Sequence, residues 1–183
     1  RSGAPVQAYV RVDDDEITNS NPIRTPDYLI VLDRTLISPA ILVGAKPGGW
    51  IILNSTDGPA AFADLFPGRQ VATVDATRLA LDNGLGTRAV PIVNTTLFGA
   101  AARVLGLTIE DVESTLAESR FGGANVTAAR EAFGCVALER LAGAATALPR
   151  SPMAGSVPGL LDADTGEKPR IKTGDWANRR PGR

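Results

Sequence analysis

Histidine is absent from the 183-residue sequence, and cysteine occurs once, at Cys135. Histidine performs most acid-base catalysis near neutral pH, and catalytic zinc sites nearly always contain it. A single cysteine excludes an internal disulfide and any cysteine-based metal cluster held by this chain alone. The sequence therefore predicts a chain that binds no metal or cofactor by itself, in a reducing cytoplasm. Cys135, in an alanine-rich stretch, is predicted to be a small buried packing residue.

Strong charge and long apolar runs are also absent. The formal net charge is -1, and the Lys and Arg residues are scattered along the sequence. A chain without a basic patch is not expected to bind nucleic acid or a membrane surface. No apolar run approaches the roughly 20 residues that a membrane-spanning helix needs. We therefore expect neither a nucleic-acid partner nor a membrane span.

The apolar pattern predicts four strands. Residues 4–12 alternate between apolar and polar positions, which indicates a half-exposed strand. Residues 28–33, 48–55 and 70–77 are apolar at nearly every step, which is typical of strands buried on both faces of a parallel sheet. These three strands end in polar residues: Asp33, Asn54 and Asp75. Since ligands of open α/β sheets bind at the carboxyl edge, this edge is a candidate ligand site.

Helical periodicity appears between and after these strands. It predicts helices over residues 38–46, 76–83, 94–105 and 108–121, and a longer one that begins at Asn125 and carries apolar positions as far as Leu141. Small residues in 94–105 and alanines in the last helix indicate closely packed backbones. The fold class predicted is α/β, a Rossmann-like, mostly parallel sheet with flanking helices.

Two sets of polar residues allow two interpretations each. Asp33 and Asp75 are either paired carboxylates or caps of the turns that follow their strands, and we favour caps. The run Asn94-Thr95-Thr96 either binds a ligand through its amide and hydroxyls or forms a helix N-cap, and we favour the N-cap. The glycine-rich stretches match neither a Walker motif nor a dinucleotide fingerprint.

Residues 149–183 differ in composition from the rest. They hold five of the 13 prolines, together with glycine and charge, and show no apolar period. Such a segment cannot bury enough surface by itself, so we predict an extended C-terminal arm that becomes ordered on another subunit. Trp176 is the predicted docking anchor of this arm.

Several stretches in this order carry a family resemblance: "RSGAPVQAYVRV", "PDYLIVLD", "KPGGWIILNS", "VATVDATRLAL" and "VPIVNTTLFGAAARVLGL" followed by "NVTAAREAF". They resemble the gamma subunit, or gamma domain, of 2-oxoacid:ferredoxin oxidoreductases of the pyruvate and 2-ketoisovalerate type. The resemblance covers residues 1–148, which would form a gamma-type α/β domain. The ending "KTGDWANRRPGR" resembles the leader of the iron-sulfur delta module.

The resemblance implies a loop at the start of this sequence. In the family a strand, a GxGGQG turn and a helix precede a loop similar to "RSGAPV", so the domain is expected to be N-terminally incomplete here. The loop with Arg1, Gly3 and Pro5 would then face partner subunits. Together with Asn94, Thr95 and Trp176, these residues form the predicted interface set.

Function also follows from the resemblance. Enzymes of this family decarboxylate a 2-oxoacid on thiamine diphosphate with Mg²⁺, pass electrons through 4Fe–4S iron-sulfur clusters to ferredoxin, and transfer the acyl group to coenzyme A. The chain would be a non-catalytic gamma subunit beside alpha, beta and delta-type subunits, inactive in isolation. Two alternatives stay open. A free-standing Rossmann-like nucleotide-binding protein would bind nucleotide saturably, and a non-enzymatic scaffold would purify without thiamine diphosphate or iron.

Overall fold

The computed structural model describes residues 6–19 and 21–143. In them, four strands form one sheet in the order β1-β2-β3-β4. The strands are β1 Tyr28–Val31, β2 Trp50–Asn54, β3 Gln70–Val74 and β4 Ala137–Arg140. The first three run parallel, and β4 pairs antiparallel with β3. This arrangement confirms the predicted α/β class with a mostly parallel sheet. The proposed arm, residues 149–183, lies outside the described residues.

Four α-helices occur in the described residues: α1 Ala76–Asp82, α2 Asn94–Leu105, α3 Ile109–Glu118 and α4 Ala124–Cys135. The bounds of α2 coincide with the predicted segment. Helix α3 begins after a capping box in which the Thr108 hydroxyl and the Asp111 carboxylate each accept from the other residue's backbone N–H. It ends at Glu118, three residues before the predicted end.

The core lies on both faces of the sheet. On one face Ile52, Ala72 and Val74 pack against residues of α1, α2 and α4. On the other face the alternate residues Ile51 and Val71 pack against the segments that follow β1 and β2, including the stacked rings of Phe62 and Phe66. Since successive side chains of a strand point to opposite faces, a strand covered on both sides must be apolar throughout. The continuous apolar runs of β2 and β3 are thereby explained.

The strand prediction for residues 4–12 is wrong in the part described, residues 6–12. No strand in the described residues pairs with this segment, and Val6 and Val10 are 84% and 80% exposed. Alternation of apolar side chains produces a strand only where a neighbouring strand supplies backbone donors and acceptors.

The predicted helix over residues 38–46 is also wrong. Only a 3₁₀ turn, Pro39–Leu42, forms there. Gly44 has a φ of +82°, and a Cβ at this position would overlap the Arg24 carbonyl oxygen. The chain leaves the helical conformation at Val43, whose ψ is 115°, and Val43 and Gly44 then form a turn closed by the Ala45 N–H, which donates to the Leu42 carbonyl at 2.9 Å.

The last helix is shorter than predicted. It ends at Cys135 rather than near Leu141, and residues 137–140 form β4, with Ala137 opposite Thr73 and Arg140 opposite Gln70. These four residues, ALER, are exposed at every position, so no buried apolar face holds them in a helix, and they pair with β3 instead. Cys135 is exposed, so its predicted burial is wrong as well.

Candidate functional site

The polar side chains at the carboxyl edge of the sheet form hydrogen bonds with neighbouring residues of the chain. Asp33 accepts from the Thr35 backbone N–H and hydroxyl, both at 2.8 Å, and Asp75 accepts from the Arg78 N–H at 2.9 Å. The donors of Thr35 stabilise the ionised carboxyl of Asp33 and hold its pKa below its usual value. Both aspartates therefore cap the turn that follows their strand, which confirms the favoured interpretation.

Asn54, the last residue of β2, links the end of β1 to the start of α1 at this edge. Its amide group donates to the Leu32 carbonyl and to the Thr77 hydroxyl, both at 2.9 Å, and its carbonyl accepts from the Thr77 N–H at 3.3 Å. The side chain is thus fully engaged in tying β2 to the end of β1 and to α1. We assign Asn54 a structural role rather than a ligand-binding one.

Metal-binding side chains do not converge in the described part of the chain. Across residues 6–19 and 21–143 there is no group of three or more Asp, Glu, Cys or His side chains that would hold an ion. None of the helices described there is both long and apolar enough to cross a membrane. Cys135, the one cysteine of the sequence, does not supply the four thiolates that a 4Fe–4S cluster needs.

An open groove lies between the start of α2 and the end of α3. Its volume is about 350 Å³. Seven residues line it: Asn94, Thr95, Phe98, Thr115, Leu116, Ser119 and Phe121. The structure therefore brings Asn94 and Thr95, two residues of the predicted interface set, to the mouth of a mostly apolar groove. We take this groove, called the α2–α3 groove below, as the candidate functional site.

The polar residues at the start of α2 differ in their surroundings. Asn94 is exposed and is the first residue of α2. The N-cap position is Val93, and within the described part of the chain no side chain caps this helix, so the N-cap prediction is wrong. The Thr95 hydroxyl donates to the Asn125 side-chain oxygen at 2.7 Å. Thr96 is fully buried, and its hydroxyl finds no hydrogen-bond partner among the described residues. Only Asn94 of the three offers its polar side chain to solvent.

Helix α4 packs against α2, the helix that carries Asn94, Thr95 and Phe98 of the groove. Thr95 contacts Asn125, a Cβ on Gly99 would overlap the Ala129 carbonyl oxygen, and Arg103 donates to the Phe133 carbonyl at 3.0 Å. Each of these pairs is separated by 30 positions in the sequence. The constant offset shows that α2 and α4 lie side by side and parallel, with backbones in contact at Gly99. This confirms the prediction of close backbone packing.

The apolar wall of the groove was not predicted as a site. Phe98, Leu116 and Phe121 belong to, or pack against, the cluster in which Val112 and Ala129 are buried. The helical spacing of such residues indicates core, and the sequence carries no signal that one side of this cluster stays open. The other predicted interface residues, Arg1, Gly3, Pro5 and Trp176, lie outside the described residues.

Comparison with known proteins identifies relatives. Residues 1–135 match the family described as pyruvate ferredoxin/flavodoxin oxidoreductase. The chain is 39% identical over 138 residues to pyruvate synthase subunit PorC of Methanocaldococcus jannaschii, covering 73% of this chain and 72% of the relative. It is 39% identical over 142 residues to the pyruvate/ketoisovalerate oxidoreductases common subunit gamma of Thermococcus kodakarensis, covering 73% of this chain and 74% of the relative.

A solved structure agrees with these relatives. The crystal structure of pyruvate oxidoreductase subunit PORC from Thermotoga maritima superimposes with a TM-score of 0.55 at 29% identity. The match covers 63% of this chain and 66% of that one, so the chain spans slightly less than two thirds of that protein. Because the family match extends over residues 1–135 of 183 and the relatives agree with it over most of their length, the chain belongs to the pyruvate ferredoxin/flavodoxin oxidoreductase family.

Proposed function

We propose that the chain is the gamma-type subunit of a multi-subunit oxidoreductase that oxidatively decarboxylates a 2-oxoacid to an acyl-CoA and passes the electrons to ferredoxin. The observation that carries this proposal is the family match over residues 1–135. It is supported by relatives named as the PorC or common gamma subunit of pyruvate and ketoisovalerate oxidoreductases.

The chemistry resides in other subunits. A sequence with no histidine and one cysteine has neither the usual acid-base group nor the thiolates of an iron-sulfur cluster. Thiamine diphosphate, Mg²⁺ and the 4Fe–4S clusters are accordingly assigned to the alpha, beta and delta-type subunits, with coenzyme A as co-substrate. The gamma chain supplies a rigid α/β body that supports them, in the cytoplasm.

Subunit contacts are proposed at three places. The α2–α3 groove combines an exposed amide at Asn94 with an apolar wall, a composition found at the centre of protein interfaces. The loop with Arg1, Gly3 and Pro5 is the second place. The arm, residues 149–183, is the third, with Trp176 as its anchor on the delta-type subunit.

Purification of the native complex tests the proposal. An affinity tag at the C-terminus of this chain should retain alpha, beta and delta-type subunits together with thiamine diphosphate and iron, as measured by native mass spectrometry and metal analysis. The complex should reduce a viologen dye with pyruvate or another 2-oxoacid only when coenzyme A is present. The tagged chain alone should show no turnover and no iron-sulfur absorbance.

Two results would contradict the proposal. Turnover of a 2-oxoacid by the isolated chain would place catalysis in this chain. Purification of the tagged chain with partners that contain neither thiamine diphosphate nor iron would identify it as a scaffold outside this enzyme class.

A further inference from the structure

The α2–α3 groove has a size and a lining that suit a short apolar segment. Its volume, about 350 Å³, lies at the lower end of the range for pockets that hold a small ligand. Phe98, Leu116 and Phe121 form its apolar wall. Thr115, on α3, is exposed at its edge. The groove therefore has room for a few side chains and not for a further helix.

A cation lies beside this apolar wall. The Arg120 guanidinium lies over the Phe121 ring, 5.1 Å from its centroid. Arg120 is exposed, and no carboxylate in the described part of the chain forms an ion pair with it. Glu118, two residues earlier, does not line the groove. An apolar surface next to an unneutralised cation favours an occupant in which a carboxylate adjoins apolar side chains.

The chain leaves the described structure beside the start of β3. Arg140 of β4 lies opposite Gln70, the first residue of β3, and the Gly68 N–H donates to the Ala142 carbonyl at 3.0 Å. Residues 144–159 follow, and a segment of this length extends to about 50 Å. A compact domain of about 140 residues has a radius of gyration of about 14 Å. The chain beyond residue 143 is therefore long enough to pass over the helical layer and reach the groove.

Residues 157–162 have the composition that the groove favours. They read VPGLLD, and Leu160 and Leu161 are the only neighbouring pair of large aliphatic residues within 149–183. Asp162 follows them directly. Pro158 has a fixed φ angle, which lowers the conformational entropy that the segment loses on docking.

The other apolar residues of the arm carry the wrong charge for this site. Ile171 has a basic residue on each side, and two arginines follow Trp176 within four positions. These cations would lie close to Arg120, and like charges brought together oppose binding. The cation beside the groove therefore favours residues 157–162 over the rest of the arm.

We propose that the arm folds back and that residues 157–162 occupy the α2–α3 groove of the same chain. Leu160 and Leu161 lie on the apolar wall, and the Asp162 carboxylate lies beside the Arg120 guanidinium. This inference concerns the chain by itself and does not depend on the proposed function. The subunit contact proposed at the groove is then made with this segment in place, and Trp176, further along, remains available for the delta-type subunit.

The tether makes a small contact sufficient. A segment joined to its site by a short link is present there at an effective concentration on the order of millimolar. The groove wall is already held by the packing of α2 against α4, so the segment alone loses conformational freedom on docking. Burial of Leu160 and Leu161 also removes apolar surface of Phe98 and Phe121 from water.

Disulfide trapping in the 183-residue chain tests this inference. Cys135→Ser removes the exposed thiol, Thr115→Cys places one at the groove, and Ala163→Cys places one after Asp162. Under mild oxidation of dilute protein, this pair should form a disulfide at least about tenfold faster than Ala117→Cys with Ala163→Cys. Ala117 is the matched control, because it is exposed on α3 about 200° around the helix axis from Thr115 and does not line the groove. Mass spectrometry of the digested monomer measures both rates.

Further variants separate the apolar contact from the charge pair. Leu161→Asp should slow the disulfide at Thr115→Cys to the control rate, because it places a charge against the apolar wall. Ile171→Asp, outside the segment, should leave the rate unchanged. Arg120→Glu should slow the reaction about threefold, and its combination with Asp162→Arg should restore the rate, with both effects smaller at high salt.

The outcomes are distinct from those that test the proposed function, because the isolated chain is used throughout. Equal rates at the groove and control positions, in variants with the circular dichroism spectrum of the unmodified chain, would overturn the inference. Disulfides that join two chains rather than one would place the segment in a second copy and would also overturn it. If Thr115→Cys unfolds the chain, Ser119→Cys at the groove and Ser114→Cys as its control give the same comparison.

Discussion

Strands β1 and β2 are neighbours with similar sequences, YLIV and WIILN, but very different surroundings. Ile52 of β2 is fully buried, whereas Ile30, its direct partner on β1, is 43% exposed. Leu32, directly after β1, is 45% exposed. The helices that cover β2 and β3 do not extend over β1, which lies at the end of the described sheet. An apolar strand sequence therefore shows that a strand can be buried on both faces, but whether it is buried depends on the elements that pack against it.

The same contrast holds for larger parts of the molecule. Residues 50–141 contain the four helices and the closely packed contact between α2 and α4. Residues 6–46 contain one strand, two 3₁₀ turns and many exposed apolar side chains. We call these parts the packed region and the thin region. The free energy of unfolding should therefore depend mainly on the packed region.

Truncating the paired isoleucines tests the contrast directly. Ile52→Ala should lower the free energy of unfolding by about 4 kcal/mol, because it leaves a cavity between the sheet and α2. Ile30→Ala should lower it by only about 1 kcal/mol, because water already reaches this side chain. Urea denaturation of both variants measures the difference. Equal losses would show that β1 is covered in solution by something outside the described residues.

Two helical glycines should respond to alanine with opposite signs. A Cβ on Gly99 would overlap the Ala129 backbone, whereas a Cβ on Gly134 would meet nothing within 4 Å. Gly99→Ala should destabilise the fold by about 2 to 3 kcal/mol by separating α2 from α4. Gly134→Ala should stabilise it by up to about 0.5 kcal/mol through helix propensity near the end of α4. Thermal unfolding of both variants checks the signs, and stabilisation by Gly99→Ala would disprove the close helix contact.

A buried hydroxyl without a partner is a weak point in the packed region. Thr96→Val replaces the unpaired hydroxyl of Thr96 with a methyl group of similar shape and should raise the free energy of unfolding by about 1 kcal/mol. Thr77→Val is the control, since the Thr77 hydroxyl accepts from Asn54, and it should lower stability by about 1 kcal/mol. Denaturation midpoints that fall for both variants would mean that Thr96 does have a partner in solution.

The smallest effect concerns pH. The backbone N–H and the hydroxyl of Thr108 lower the pKa of Asp111, and those of Thr35 lower the pKa of Asp33. A lowered folded-state pKa contributes stability above the ordinary range for aspartate, and that contribution is lost as pH falls from about 5 through the folded-state pKa. Asp111→Asn, in the packed region, should flatten the melting temperature against pH more than Asp33→Asn, which caps only a 3₁₀ turn. A steeper acid dependence in Asp111→Asn would contradict this assignment.

Local signals predicted much of the packed region correctly. The bounds of α2, the start of α3 at the Thr108 cap, and the cap at Asp75 depend on residues close in sequence, as does the cap at Asp33 in the thin region. The groove itself was not predicted: Asn94 and Thr95 were named as interface residues, which stays a prediction, and the apolar wall beside them was not named. Whether Phe98 and Phe121 face a void or a core depends on how far α3 lies from α2, and sequence spacing does not contain that distance.

The sequence by itself determined the α/β class, the family, and the exclusion of a cysteine-based cluster, because these depend on composition and on patterns within short segments. The tertiary structure decided which segments pair with a neighbouring strand and which are limited by contact with another part of the backbone. Residues 6–12 have a strand pattern but no neighbouring strand among the described residues. Residues 137–140 pair with β3, and Gly44 lies in a turn packed against the Arg24 carbonyl. In each case the deciding contact joins positions far apart in the sequence, since backbone hydrogen bonds and steric contacts act in space and not along the chain.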